Sequence, residues 1–319
     1  LTVRSREPTA LLAEARGGDR GALARALSLI EQGGVPARDL GRLAHPLGGD
    51  AYTVGMTGAP GAGKSTLTTM VIAHLRRRGD RVGIVAIDPT SPFTGGAILG
   101  DRVRMQDHAT DDGVFIRSMA TRGHLGGLAL AVPEALRLLD AVGFPWILVE
   151  TVGVGQVEVE VAEKADTTVV VVNPGWGDSV QANKAGLMEI ADVFVINKAD
   201  RAGVDETRRD LEQMLDLSAL GERWRPPIVP AVATGAEGID ELWAAVEDHR
   251  AYLSATGLLA ARRERRLRDE LRQIVVQRLE ARARELCTGA SYEELESDVL
   301  ARRVDPWTAS DRLLESVGA

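Results

Sequence analysis

The run Gly58-Ala59-Pro60-Gly61-Ala62-Gly63-Lys64-Ser65 sets glycine, lysine and a hydroxyl at the spacing G-x-x-x-x-G-K-[ST]. Each residue type answers a demand of phosphate chemistry. Bare glycine backbone lets N–H groups wrap a β-phosphate, the Lys64 ammonium meets β- and γ-oxygens, and the Ser65 hydroxyl is a ligand for Mg2+. Thr66 continues into a helical run at 66–78, and a helix N-terminus favours an anion. A chance glycine-rich turn would bring neither the Lys-Ser pair nor the apolar run at 52–57 that precedes it.

A second motif selects the base. Asn197-Lys198-Ala199-Asp200 follows an apolar run and has the form N-K-x-D, in which Asp200 would accept hydrogen bonds from guanine N1–H and the 2-amino group. Adenine lacks that donor pair and would leave a desolvated carboxylate unpaired, so GTP is expected over ATP. The third element is Glu150-Thr151-Val152-Gly153, standing where a D-x-x-G is usual. Its carboxylate is expected at the Mg2+ shell and the Gly153 N–H at the γ-phosphate, so this segment should move when that phosphate leaves. Lys64, Glu150 and Gly153 are therefore the candidate catalytic residues. The position after Gly153 is Val154, so the water-orienting glutamine of Ras-like enzymes is absent.

These groups need a frame. Apolar, β-branched runs recur at 52–57, 82–88, 114–117, 146–151, 168–173, 193–197 and 228–232, separated by helical patterns. Nearly all-apolar strands alternating with helices predict an α/β fold, a doubly wound and mostly parallel sheet covered on both faces. Asp88 and Asn197 close two of the runs and Glu150 follows the apolar residues 146–149 of a third, and ligands of open α/β sheets bind beyond the carboxyl ends of strands. Residues 1–48 read as an N-terminal helical extension, with Asp19 capping a segment through Leu23, Leu27 and Ile30 that stops at Gly33-Gly34. Residues 49–256 are the expected nucleotide domain. Residues 257–319 read as a C-terminal helical module for dimerisation or partner docking, with an apolar stripe of Leu267, Leu271, Ile274 and Leu279. Ser291 and Glu294 suit a capping box, and Asp305-Pro306 an N-cap followed by proline.

Composition removes other classes. With one cysteine, Cys287, the 319-residue chain holds no internal disulfide or thiolate cluster, which points to the cytoplasm. Apolar runs stay short of the ~18 residues that a membrane span needs, and the first residues lack a signal-peptide core. A net charge of −8 and 4% aromatics argue against nucleic acid as partner. His45, His74, His108, His124 and His249 show no metal-ligand spacing. Glycine is in excess, 34 residues or about 11% against a usual ~7%. Much of that excess falls in the phosphate loop and in segments near the other motifs.

Together with Asp88-Pro89-Thr90-Ser91-Pro92, Gly100-Asp101-Arg102, Arg117-Ser118-Met119-Ala120-Thr121-Arg122-Gly123 and Gly153-Val154-Gly155-Gln156, these motifs resemble one family across nearly the whole chain. It is the MeaB/ArgK/MMAA type of SIMIBI-class P-loop GTPase, chaperones of adenosylcobalamin-dependent acyl-CoA mutases. The resemblance implies Mg2+ held by Ser65, Asp88, Asp101 and Glu150, some through water. It also implies a nucleotide-sensing third switch that contacts the mutase, with Asp178, Gln181 and Lys184 matching and Ser179 in place of a usual glutamate. Val157 departs from a usual serine. The guanine loop Ala231-Val232-Ala233-Thr234 replaces a Ser-Ala motif, so backbone N–H groups of Val232 and Ala233 would make its contact.

The expectation is Mg2+-dependent hydrolysis of GTP to GDP and phosphate, slow in the isolated homodimer and accelerated by the mutase, with GTP gating the loading or protection of adenosylcobalamin. The cobalamin belongs to the partner, since no D-x-H-x-x-G motif occurs here. Methylmalonyl-, isobutyryl-, ethylmalonyl- and 2-hydroxyisobutyryl-CoA mutases all remain open as partners. Two other readings stand beside this one: a P-loop kinase phosphorylating a transport-binding protein or small molecule, and a nucleotide-gated scaffold with negligible turnover.

Overall fold

The computed structural model describes residues 7–88, 108, 110–120, 125–151, 164–175, 189–217 and 224–315, with side chains at all of these except 88, 120 and 125–130. Among the described residues, strands β1 (Tyr52–Gly58), β2 (Val82–Asp88), β3 (Val114–Ala120), β4 (Trp146–Thr151), β5 (Thr167–Val172), β6 (Val193–Asn197) and β7 (Ile228–Ala231) form one sheet. Every pairing is parallel, in the order β3-β2-β4-β1-β5-β6-β7. Each apolar run of the sequence is thus a strand, with ends shifted by a few residues. The chain departs from central β1 to one side and later returns to its other side at β5. That reversal opens a crevice at the carboxyl end of β1.

Alternation along the strands assigns the two faces. Val54, Met56, Leu148, Val169, Val171 and Val195 pack with α4 (Lys64–Arg77) and with Leu242, Trp243 and Val246, which lie on a later helix, Ile239–Ala255. On the opposite face Val85, Ile87, Ile147 and Val149 pack with α5 (Leu125–Ala141) and with α1 (Pro8–Arg16), α2 (Arg20–Gln32) and α3 (Gly34–Ala44). On that same face Val170, Val172, Phe194 and Ile196 pack with Leu211 and Leu215 of α6 (Val204–Leu217). The helix Ile239–Ala255 is α7, and α8 (Leu258–Leu286), α9 (Ala290–Leu300) and α10 (Pro306–Glu315) follow it.

The N-terminal helices share a core with α5 instead of standing apart. Asp19 caps α2 through the N–H groups of Gly21 and Ala22, at 2.7 and 3.0 Å, and Gly33 ends it at φ 74°. Arg117 of β3 then forks onto Glu31 at 2.8 and 2.6 Å and reaches Ser28 at 3.1 Å, joining α2 to the sheet edge.

The chain divides into compact units at Leu1–Arg266 and Leu267–Ala319, so the division falls inside α8. Three arginines of its first turns explain why it does not fall at 257. Arg262 donates to both Asp192 oxygens at 3.0 and 3.1 Å and to Asp166 O at 3.0 Å. Arg263 donates to the Asp166 carboxylate at 2.8 and 3.2 Å and to Gly49 O and Ala51 O, each at 2.7 Å. Arg266 bonds to Lys164 O at 2.9 Å and to the Asp166 carboxylate. Asp166 and Asp192 also accept the N–H groups of Thr53 and Thr168, at 3.0 and 2.9 Å, so the arginines grip the amino-terminal ends of β1, β5 and β6.

Burial works against ionisation of Asp166, but the Arg263 bonds and the Arg266 and Arg263 charges outweigh it and hold its carboxyl below the usual range. Truncating it strands two guanidinium groups. Asp166→Ala is expected to lower unfolding stability by about 3 kcal/mol, read as a fall in the urea midpoint.

His249 is buried beside this network, its Nδ1 2.8 Å from Thr167 Oγ1. Burial pushes its pKa down to about 4, and the Asp192 charge only partly offsets that. The folded protein therefore keeps His249 neutral where the unfolded chain protonates it. Stability should fall as pH drops from about 6.5 toward 4, by roughly 1.4 kcal/mol per unit at most from this residue. Urea midpoints of His249→Gln against pH should show a shallower fall than the parent over that window.

In the second unit, Asp305 caps α10 through Trp307 N and Thr308 N, at 3.0 and 3.1 Å, with Pro306 at its first position, as the sequence predicts. The Ser291/Glu294 capping box does not form. Helix α9 starts two residues earlier than that box requires, at Ala290, because Gly289 at φ 92° makes the turn without a side-chain cap and Ser291 falls inside the first turn. Leu267, Leu271 and Leu279 are exposed along α8. No helix among the described residues is long and apolar enough to cross a membrane.

Candidate nucleotide site

Strand β1 gives way to the phosphate loop at Gly58, whose φ of 134° and contact with Val171 O leave no room for a Cβ. The loop ends at Gly63, φ 90°, where a Cβ would strike the Asn197 amide nitrogen. Helix α4 then starts at Lys64, with Gly63 at its N-cap position offering no side chain. The positive end of the helix dipole suits an anion here. Ala62 is buried, Ala59, Gly63 and Thr66 are half-buried, and Pro60 and Gly61 face solvent.

Lys64 is buried, and its ammonium donates to Gly58 O at 2.6 Å and Ala59 O at 3.1 Å. Those carbonyls hold it inside the curve of the loop. Ser65 follows, its hydroxyl donating to Glu150 Oε1 at 2.6 Å. Strand alternation places Glu150 there. Trp146 and Leu148 pack on the α4 side of the sheet, so Glu150, two residues on, points to the same side at the strand's carboxyl end. The carboxylate is 1% exposed, a burial that its bond to Ser65 helps to offset.

The base end is tied to the same loop. Asn197 closes β6, donates from Nδ2 to Ala62 O at 2.8 Å and accepts Ala233 N–H at Oδ1 at 3.2 Å. The asparagine amide, with a donor and an acceptor on one group, thereby spans the phosphate loop and the segment after β7. That bracing was not read from the sequence, where only the pattern N-K-x-D stood out. Lys198 adopts φ 60° and donates to Gly61 O at 2.6 Å. Asp200 lies in the next turn, exposed. The backbone donors expected to meet guanine are both engaged in this structure, Val232 N–H with Glu237 O at 3.1 Å and Ala233 N–H with Asn197.

Among the other expected residues, Asp88 closes β2, and its side chain lies outside the described set. Asp101, Gly153, Asp178, Gln181 and Lys184 also lie outside the described residues. What the structure brings together is Gly58 to Thr66, Glu150, Asn197 to Asp200, Val232 and Ala233, all at the carboxyl ends of β1, β4, β6 and β7.

Comparison with known proteins agrees with this geometry. Residues 23–288 match the family described as methylmalonyl-CoA mutase-associated GTPase MeaB. A GTPase-named protein of Pyrococcus abyssi is 50% identical over 310 residues, covering 96% of each chain. The mouse mitochondrial methylmalonic aciduria type A homolog is 33% identical over 94% of this chain and 77% of its own. The crystal structure of an LAO/AO transport system kinase superposes with a TM-score of 0.71 at 26% identity, over 100% of both chains. A phosphate loop, a guanine-type N-K-x-D and this family match lead to one assignment: the chain is a P-loop GTPase and belongs to the MeaB family.

Proposed function

We propose that the chain hydrolyses GTP with Mg2+ and uses the nucleotide state to gate the loading or protection of adenosylcobalamin in an acyl-CoA mutase of the methylmalonyl-CoA type. The observation that carries the reading is a family match over residues 23–288 on a chain whose Asn197 joins the phosphate loop to the base end. The Ser65 hydroxyl and Glu150 carboxylate, hard oxygens 2.6 Å apart at the mouth of the loop, fit Mg2+. With Asp88 and Asp101 they would hold the ion, which supplies charge neutralisation at the β- and γ-phosphates.

In this reading Lys64 turns from the Gly58 and Ala59 carbonyls to the phosphate oxygens. Gly153 presents its N–H to the γ-phosphate, and Asp200 reads the base. Asp178, Gln181 and Lys184 contact the mutase, and the exposed Leu267, Leu271 and Leu279 of α8 supply the face of a homodimer. The isolated protein lacks the glutamine that orients water, so the partner is expected to complete the site. Measured GTP turnover should rise at least about tenfold when a cognate mutase is added. The absence of stimulation by any acyl-CoA mutase of the host would refute the partner. Transfer of labelled γ-phosphate to a protein or small molecule, rather than water, would favour a kinase instead.

A further inference from the structure

Thr57 and Thr151 are fully buried at the carboxyl ends of β1 and β4. The register that pairs Met56 with Glu150 brings them side by side, and the Thr151 hydroxyl donates to Thr57 Oγ1 at 3.3 Å. Side chains alternate, so this bond lies on the sheet face opposite the bond between Ser65 and Glu150. The last two residues of β4 are therefore held on both faces, Glu150 to α4 and Thr151 to β1. Thr57 immediately precedes Gly58, where the phosphate loop begins. Valine has nearly the same shape and would bury more apolar surface at both positions, so packing alone does not account for the hydroxyls.

We infer that Thr57 and Thr151 are positioning residues for GTP hydrolysis. Their hydroxyl bond fixes where the chain leaves β4 relative to the phosphate loop, and so sets the placement of the residues that reach toward the γ-phosphate. The inference rests on the role proposed for Gly153, two positions beyond Thr151. The Ser65 and Glu150 oxygens cannot serve as the fixed reference through a turnover, since both are expected to turn to Mg2+. The threonine pair is assigned no ligand role in the proposed function.

The double variant Thr57→Val/Thr151→Val removes both hydroxyls at constant shape. Neither partner is left unsatisfied, so thermal stability should match the parent. Single-turnover hydrolysis at saturating GTP is expected to fall about tenfold, as for a small misplacement of a reacting group. Affinity for a non-hydrolysable GTP analogue should weaken while affinity for GDP stays unchanged, a split that a merely structural role would not produce. Thr151→Ser keeps the hydroxyl and should hydrolyse at the parental rate, whereas Thr151→Val should not. That pair of single variants decides the matter even if the double variant fails to fold.

Parental hydrolysis by the double variant, equal losses of GDP and analogue affinity, or a Thr151→Ser as slow as Thr151→Val would each overturn the inference. The Gly153 reading fails on a different result, Gly153→Ala with parental hydrolysis and analogue affinity.

Discussion

Lys64→Ala is expected to slow GTP hydrolysis by about 10²–10³-fold, the usual loss when one preorganised donor is removed from developing charge. The side chain is buried, and its ammonium donates to two loop carbonyls, Gly58 O and Ala59 O. In the proposed reading it turns from them to the phosphate oxygens without leaving the loop. Its removal costs the transition-state charge and also takes a donor from both carbonyls, so triphosphate affinity should fall as well. Lys64→Arg should not rescue the rate, because a planar guanidinium cannot occupy the space of a compact ammonium between those carbonyls. Single-turnover hydrolysis at saturating nucleotide, with GDP and GTP-analogue titrations on the same preparation, separates the two effects. A Lys64→Ala protein that hydrolyses GTP at the parental rate would remove Lys64 from the chemistry.

The phosphate loop was legible in the sequence because its determinants are local. Gly58, Gly63, Lys64 and Ser65 lie within a few residues of one another, and the strand and helix that frame them announce themselves by apolar runs and periodicity. The same holds for Asp19 and Asp305, which cap helices through N–H groups two and three residues away. Glu150 was legible at one remove, since alternation along β4 dictates its side once the strand is known. The arginines of α8 were not. Arg262, Arg263 and Arg266 look like a solvated charged face, and their carboxylates stand 70 to 100 positions earlier. Periodicity says which residues share a face of α8 but not what that face meets, so the fold places the division inside α8 where composition placed it at 257. Glu31 and Arg117 were hidden for the same reason, 86 positions apart. The Ser291 box shows the converse error, a local pattern overridden by the backbone freedom of Gly289.

Asp200→Asn should convert the base preference of the site. Guanine offers N1–H and a 2-amino group on one edge, and a carboxylate accepts from both. An asparagine amide accepts one of these and opposes its own N–H to the other. Two hydrogen bonds to a charged group, worth ~1.5–3 kcal/mol each, are then lost or reversed. At 1.4 kcal/mol per decade, GTP affinity should fall by about 10²–10⁴-fold. Xanthine carries an oxygen where guanine has its 2-amino group, so the asparagine N–H finds an acceptor and XTP should bind more tightly to the variant than GTP does. The exposure of Asp200 allows this change without unfolding the site. Asn197 is different. It is buried and braces Ala62 O against Ala233 N–H, so Asn197→Ala should weaken GTP and XTP alike and lower stability as well. Titration of both variants with GTP, XTP and ATP therefore tells base reading from scaffold, and an Asp200→Asn protein that still prefers GTP would show that guanine is read elsewhere.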